Sequence, residues 1–153
     1  MRIVGCFVLA SCVHAAPRSA PAPATDARAV PSDAELARAT ACERDTGEQR
    51  RMIARGDRQL HGTWQSKLDG NAAGLLWNLE MAWDAVVPLY VHGAAPFDDS
   101  QLAQLREAGA VGSNFMLNAG ALVSIDVPMS RLACLGELEF VRNIAGHERM
   151  YPN

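Results

Sequence analysis

Few of the residue types that carry chemistry stand at the spacings that chemistry requires. The histidines at 61, 92 and 147 share no metal-ligand spacing, and none lies in an HExxH frame. His92 ends a β-rich run and reads as a solvated strand-end residue, not as a general base. Asp98 and Asp99 precede a helical pattern, so they read as a helix cap before they read as a catalytic carboxylate pair. Gly109-Ala110-Val111-Gly112 is followed by no lysine and contains no GxGxxG, which excludes a phosphate loop. Cys42 and Cys134 lie in no CxxC, and no Cys/His grouping marks a nucleophilic thiol. Trp64, Trp77 and Trp83 are expected in a core, given the area each has to bury. Arg50, Arg51, Arg55 and Arg58 stand near Glu43, Asp45, Glu48 and Asp57, the pattern of a solvated, salt-bridged helical face. The expectation is a chain with no catalytic site, no cofactor and no bound metal.

Composition narrows the class further. The chain has 153 residues, 49% hydrophobic and 20% charged, with a formal net charge of −3. That is enough for one domain with extensions, and it carries no basic patch of the kind that binds nucleic acid. Lys67 is the only lysine among 14 basic residues. No internal apolar run reaches about 18 residues, so no membrane-spanning helix is expected in the body.

The N-terminus points to export. Met1-Arg2 supplies a positive charge, and Ile3 to Ala10 an apolar run, the two parts of a signal peptide. Leu9-Ala10-Ser11-Cys12 resembles a bacterial lipobox. That resemblance implies cleavage after residue 11 and lipidation of Cys12, anchoring the protein to a membrane. Val13, rather than an aspartate, follows Cys12, which implies sorting to the outer membrane on its periplasmic face. The alternative is simple secretion, by cleavage after Ala15 in Val13-His14-Ala15. Residues 12–31 form an Ala/Pro-rich linker; Pro17, Pro21, Pro23 and Pro31 make an extended, semi-rigid spacer of it. With Cys6 removed and Cys12 lipidated, Cys42 and Cys134 remain, and two thiols in an oxidising compartment are expected to pair.

The folded body divides into a helical part, 32–84, and a mixed part, 85–153. Ser32-Asp33-Ala34-Glu35 has the capping-box arrangement. Leu60, Trp64 and Leu68 recur at four-residue steps, while Gly47, Gly56 and Gly62 argue for two helical pieces over one rod. Residues 72–83 fit a helix through Leu75, Leu76, Leu79 and Trp83, and fit a strand by alternation; pattern alone leaves both open.

From residue 85 the order reads β-α-β-β-α-β. AVVPLYVHG is a strand with Pro88 at an edge or start. A helix follows Asp98-Asp99 and ends at Gly109. Residues 111–120 and 121–128 form a hairpin through Asn118-Ala119-Gly120. A helix over Met129–Glu139 and a strand over Phe140–Ile144 complete the unit. The predicted class is α+β: N-terminal helices, then a ferredoxin-like four-stranded antiparallel sheet with two helices on one face.

Several of these positions resemble the propeptide and inhibitor family of subtilisin-type serine proteases. They are Val87–Val91, Leu102 with Leu105, Ala108–Val111, Leu122–Pro128, Leu132 with Leu135, and Phe140–Ile144. The resemblance spans about sixty residues and rests mostly on hydrophobic spacing. It implies the ferredoxin-like fold, a sheet face that docks on a protease, and a C-terminal tail lying in the active-site cleft. Here that tail is His147, Glu148, Arg149, Met150, Tyr151, Pro152 and Asn153. No protease domain follows it, so the expected partner acts in trans. The competing expectation is an envelope accessory or immunity-type lipoprotein using the same fold on an unrelated protein.

Overall fold

The computed structural model describes residues 29–111 and 120–147. Cys12, the spacer up to Arg28, the strand expected over 112–119 and the tail residues Glu148, Arg149, Met150, Tyr151, Pro152 and Asn153 lie outside them. The helical part begins with α1 (Asp33–Arg38), and the capping box predicted for it forms: Glu35 N donates to Ser32 Oγ at 3.3 Å, and Ser32 N to Glu35 Oε2 at 2.7 Å. A second capping box, Thr40 with Glu43, starts α2 (Ala41–Ala54). A 3₁₀ turn follows over Trp64–Lys67, and then α3 over Gly70–Trp77, so of the stretch 72–83 residues 72–77 are helix and 78–83 are neither helix nor strand. Asp69 starts α3 by accepting from Ala72 N at 2.7 Å. The helix stops at Trp77, and Trp83 falls in the following turn, outside it.

Gly47 sits inside α2, where glycine costs helix stability. The cause is packing: a β-carbon there would stand 2.5 Å from Leu36 Cδ2 and 3.0 Å from Pro31 Cγ. Gly56, by contrast, follows the end of α2 with φ of 96°, a conformation that favours glycine.

Three strands form one antiparallel sheet, β1 (Val86–Gly93), β2 (Leu122–Pro128) and β3 (Val141–Gly146), in the order β2-β1-β3. Pro88 is paired with Asp126 and precedes Leu89, the first residue of β1 paired with β3, so its other side is locally an edge. Between β1 and β2 lies α4 (Asp99–Glu107), capped by Asp98 and ended by Gly109 at φ of 111°. The helix expected over Met129–Glu139 is shorter: a 3₁₀ turn, Met129–Arg131, and then α5, Leu132–Gly136. Gly136 lies against Trp64, where a β-carbon would meet Trp64 Cβ at 2.7 Å, and the chain turns there toward β3. That strand runs two residues beyond Ile144, because Ala145 and Gly146 pair with Tyr90 and Leu89. The overall class is α+β, as expected.

One core joins both parts. Ile53, Trp64, Leu75 and Leu76 from the helical part meet Val87, Leu89, Val91, Val123, Ile125, Val127 and Ile144 from the sheet, with Leu105, Leu132 and Leu135 from α4 and α5. Thr46 stitches α2 to α5: its hydroxyl donates to Cys42 O and accepts from Ala133 N at 3.1 Å.

Arg50 departs most from expectation. Instead of lying on a solvated face it is fully buried. Nη1 donates to Leu75 O, Leu76 O and Asn78 O at 2.9 to 3.2 Å, Nη2 to Met81 O at 2.6 Å, and Nε to Ala29 O at 2.9 Å. The carbonyls at the end of α3 lack intrahelical partners, and the guanidinium fork supplies donors for them. Burial lowers its pKa to about 10, which leaves it charged at neutral pH.

Candidate functional site

Strand alternation gives the sheet two faces of different character. One is buried in the core through Val87, Leu89 and Val91, flanked by Val123, Ile125 and Val127. The other presents Pro88, Tyr90 and His92 from the central strand, each half-buried or exposed. The register sets their neighbours. Tyr90 lies between Ser124 and Ala145, His92 between Leu122 and Asn143, and Pro88 beside Asp126.

His147 is the first residue after β3 and the one tail residue within the described chain. Its ring stacks on that of Tyr90, with centroids 5.2 Å apart and planes 26° apart. The root of the predicted tail therefore touches the middle of this face. A sheet surface with an aromatic centre and short polar neighbours offers area and a few hydrogen-bonding groups, a combination suited to contact with another protein.

Cys42 and Cys134 are joined in a disulfide, with Cα atoms 5.0 Å apart across 92 residues of sequence. The bond ties the first turn of α2 to α5, on the side of the molecule where Arg131 pairs with Glu43 at 2.7 Å. Burial of the Glu43 carboxyl is outweighed there by hydrogen bonds from Thr40 and by Arg131, which together hold its pKa below the ordinary value. Glu137 shows the opposite: burial first, then the neighbouring Asp45 carboxyl, raises its pKa.

The remaining chemistry-bearing residues are scattered. Asp98 caps α4, accepting from Gln101 N at 2.8 Å. His92 is exposed at its strand end. His61 pairs with Asp57 at 2.8 Å, away from His92 and His147 in the chain order of the elements. Among the described residues, no three His, Cys, Asp or Glu side chains stand together as a metal site. Trp64 is in the core as expected, but Trp77 is 42% exposed. Sequence reasoning missed the Tyr90–His147 stack, because it depends on strand register; the signal available was the alternation Pro88-Tyr90-His92 opposite Val87-Leu89-Val91.

Compared with models of protein families, with curated proteins and with solved structures, the chain matches none.

Proposed function

We propose that the chain is a non-catalytic, exported protein-binding module, an inhibitor- or propeptide-like partner of a subtilisin-type serine protease. It works through the open sheet face and the tail from His147 to Asn153. The observation that carries this reading is the stacking of His147 on Tyr90, which roots the tail on that face. The strand order supports the underlying ferredoxin-like unit. In such a unit the three described strands stand as β3-β1-β2, both neighbours antiparallel to β1, and the fourth strand lies along the free edge of β2. Val111, where that strand is expected to start, makes an antiparallel bridge to Asp126 in β2. The disulfide accords with an oxidising compartment, and lipidation of Cys12 would hold the module at the periplasmic face of the outer membrane.

The test is inhibition of a subtilisin-type protease by the full chain, by a chain lacking residues 147–153 and by Tyr90→Ala. Inhibition lost in both variants is the expected result. Inhibition retained without the tail overturns the tail mechanism. Absence of inhibition by the full chain overturns the protease partner and leaves the accessory-lipoprotein reading, to be pursued by pull-down from envelope extracts.

A further inference from the structure

The open sheet face carries apolar surface beyond its aromatic centre. Val86, which alternates with buried Val87, is 57% exposed, and Val111, bridged to Asp126, is 44% exposed. Bridged residues share a side of the sheet, so both valines stand with Pro88 and Tyr90 on this face. They are two of the four large apolar side chains that the described residues leave exposed. The outer edge of β3 is closed by contrast. Asp69 N donates to Ile144 O at 2.9 Å, and Gly146 N donates to Asp69 Oδ1 at 3.1 Å. Another chain cannot pair along that part of β3, whereas the face stays open to it.

Two polar side chains on the face flank β1 at one level. Asp126 of β2 pairs with Pro88, and Gly146 of β3 pairs with Leu89, which brings the next residue, His147, level with Pro88 on the opposite side. Among the described residues the Asp126 carboxylate has no hydrogen-bond or ion-pair partner, and the His147 ring is engaged only by its stack on Tyr90. Stacking uses the face of the ring and leaves its nitrogens free to hydrogen-bond. Within one chain the two groups stand two strand spacings apart, about 10 Å at the backbone, with β1 between them.

We propose that this face pairs with the same face of a second copy of the chain, about a two-fold axis parallel to β1. Such an axis lays β2 of one copy over β3 of the other, with β1 over β1. Asp126 of each copy then meets His147 of the other, and both groups gain the partner they lack within one chain. At the level of Tyr90, Ser124 meets Ala145, two small residues that leave room for the tyrosine rings near the axis. Val86 and Pro88 lie against their own counterparts. The face spans three strands and the length from Val86 to His92, about 20 Å by 14 Å. That size belongs to transient contacts, with a dissociation constant on the order of 0.1 mM. The pairing occupies the surface assigned above to a protease, so the two contacts exclude each other, but it does not depend on the protease reading.

Sedimentation equilibrium of the full chain with Cys6→Ser and Cys12→Ser, from about 10 μM to 1 mM to span that constant, measures association with no protease present. Asp126→His and His147→Asp should each weaken it at least about tenfold, because one substitution in a two-fold contact disrupts both pairs. Mixing the two variants in equal amounts is the decisive arm. In the mixed dimer the new imidazole faces the new carboxylate and the native pair forms on the other side, so association returns to the parent's strength. Val86→Lys sets two like charges together at the axis; it should weaken association as much, and neither variant should restore it. A parent that stays monomeric throughout overturns the proposal and leaves the face to the chain's own tail or to an outside protein. Variants that associate as the parent does overturn it too, as does a mixture no stronger than its components.

Discussion

In β1 and β2, side chains alternate between core and surface, and every fully buried strand position from Val87 to Gly146 is apolar or glycine. In the helical part, Leu36, Ile53, Trp64, Leu75 and Leu76 are buried too, but beside the polar Thr46, Gln49, Arg50 and Gln65. Gln49 accepts from His61 N at 3.0 Å and donates to Gln59 O at 2.9 Å, fixing the loop after α2, and Gln65 donates to His61 O. Arg50 gathers the carbonyls that end α3. The sheet thus gains stability from area removed from water, which tolerates exchange among apolar residues of similar volume. The helical part depends in addition on buried donors and acceptors, which tolerate exchange poorly because each lost partner leaves another group unsatisfied.

The disulfide joins the two regions, so it offers the largest test. Replacing Cys42 and Cys134 together by serine should lower stability by about 4 kcal/mol, from the loop-closure entropy regained by the unfolded chain. Urea unfolding of the two proteins measures it, with tryptophan emission reporting the helical part and far-ultraviolet circular dichroism both parts. Coincident transitions by both signals are expected, because α2, α5 and the sheet share a core. Separate transitions would show that the two regions are independent without the bond.

Arg50→Met separates them differently. Methionine retains most of the apolar stem but offers no donor to Leu75 O, Leu76 O, Asn78 O or Met81 O. A loss of about 3 kcal/mol is expected from these orphaned carbonyls, with amide exchange speeding up first around α3 and residues 78–81. A neutral substitution would mean that removing the desolvated charge offsets the lost hydrogen bonds, as occurs in some buried ionic sites.

The same contrast explains what could be read in the sequence. Val87-Leu89-Val91 and Val123-Ile125-Val127 announce their strands by alternation, and Ser32 with Glu35 announces its helix by a local hydrogen-bond pattern. Asp98 and Gly109 bound α4 for the same local reason. Arg50 was not legible, since its carbonyl partners lie between 21 and 31 residues away and its neighbours Arg51, Arg55 and Arg58 imitate a surface stripe. Trp77 was misplaced because helical spacing fixes which side of α3 it occupies but not where the surrounding core ends. The open sheet face was implicit in the alternation, whereas the contact of His147 with Tyr90 required the register of β1 with β3.

The smallest expected effect lies at the seam between the regions, where Glu137 after α5 faces Asp45 on α2. Burial first and the Asp45 carboxyl second raise the pKa of Glu137. A carboxyl whose folded pKa stands above its unfolded value favours folding most in its protonated form. Its contribution is therefore present below the unfolded pKa of about 4.3, and it is lost as pH rises through the folded value. Glu137→Gln removes the charge and keeps the shape, so it should stabilise the protein at pH 7 and have no effect at pH 3. Because Glu137 is largely exposed, solvent screening holds the gain at pH 7 to about 0.3 kcal/mol. Thermal unfolding of the pair at both pH values, repeated with Asp45→Asn present, reads the coupling. If Asp45 contributes as described, its removal reduces the Glu137→Gln gain at pH 7; an undiminished gain would assign the shift to burial alone and leave the two helices without an electrostatic link at that point.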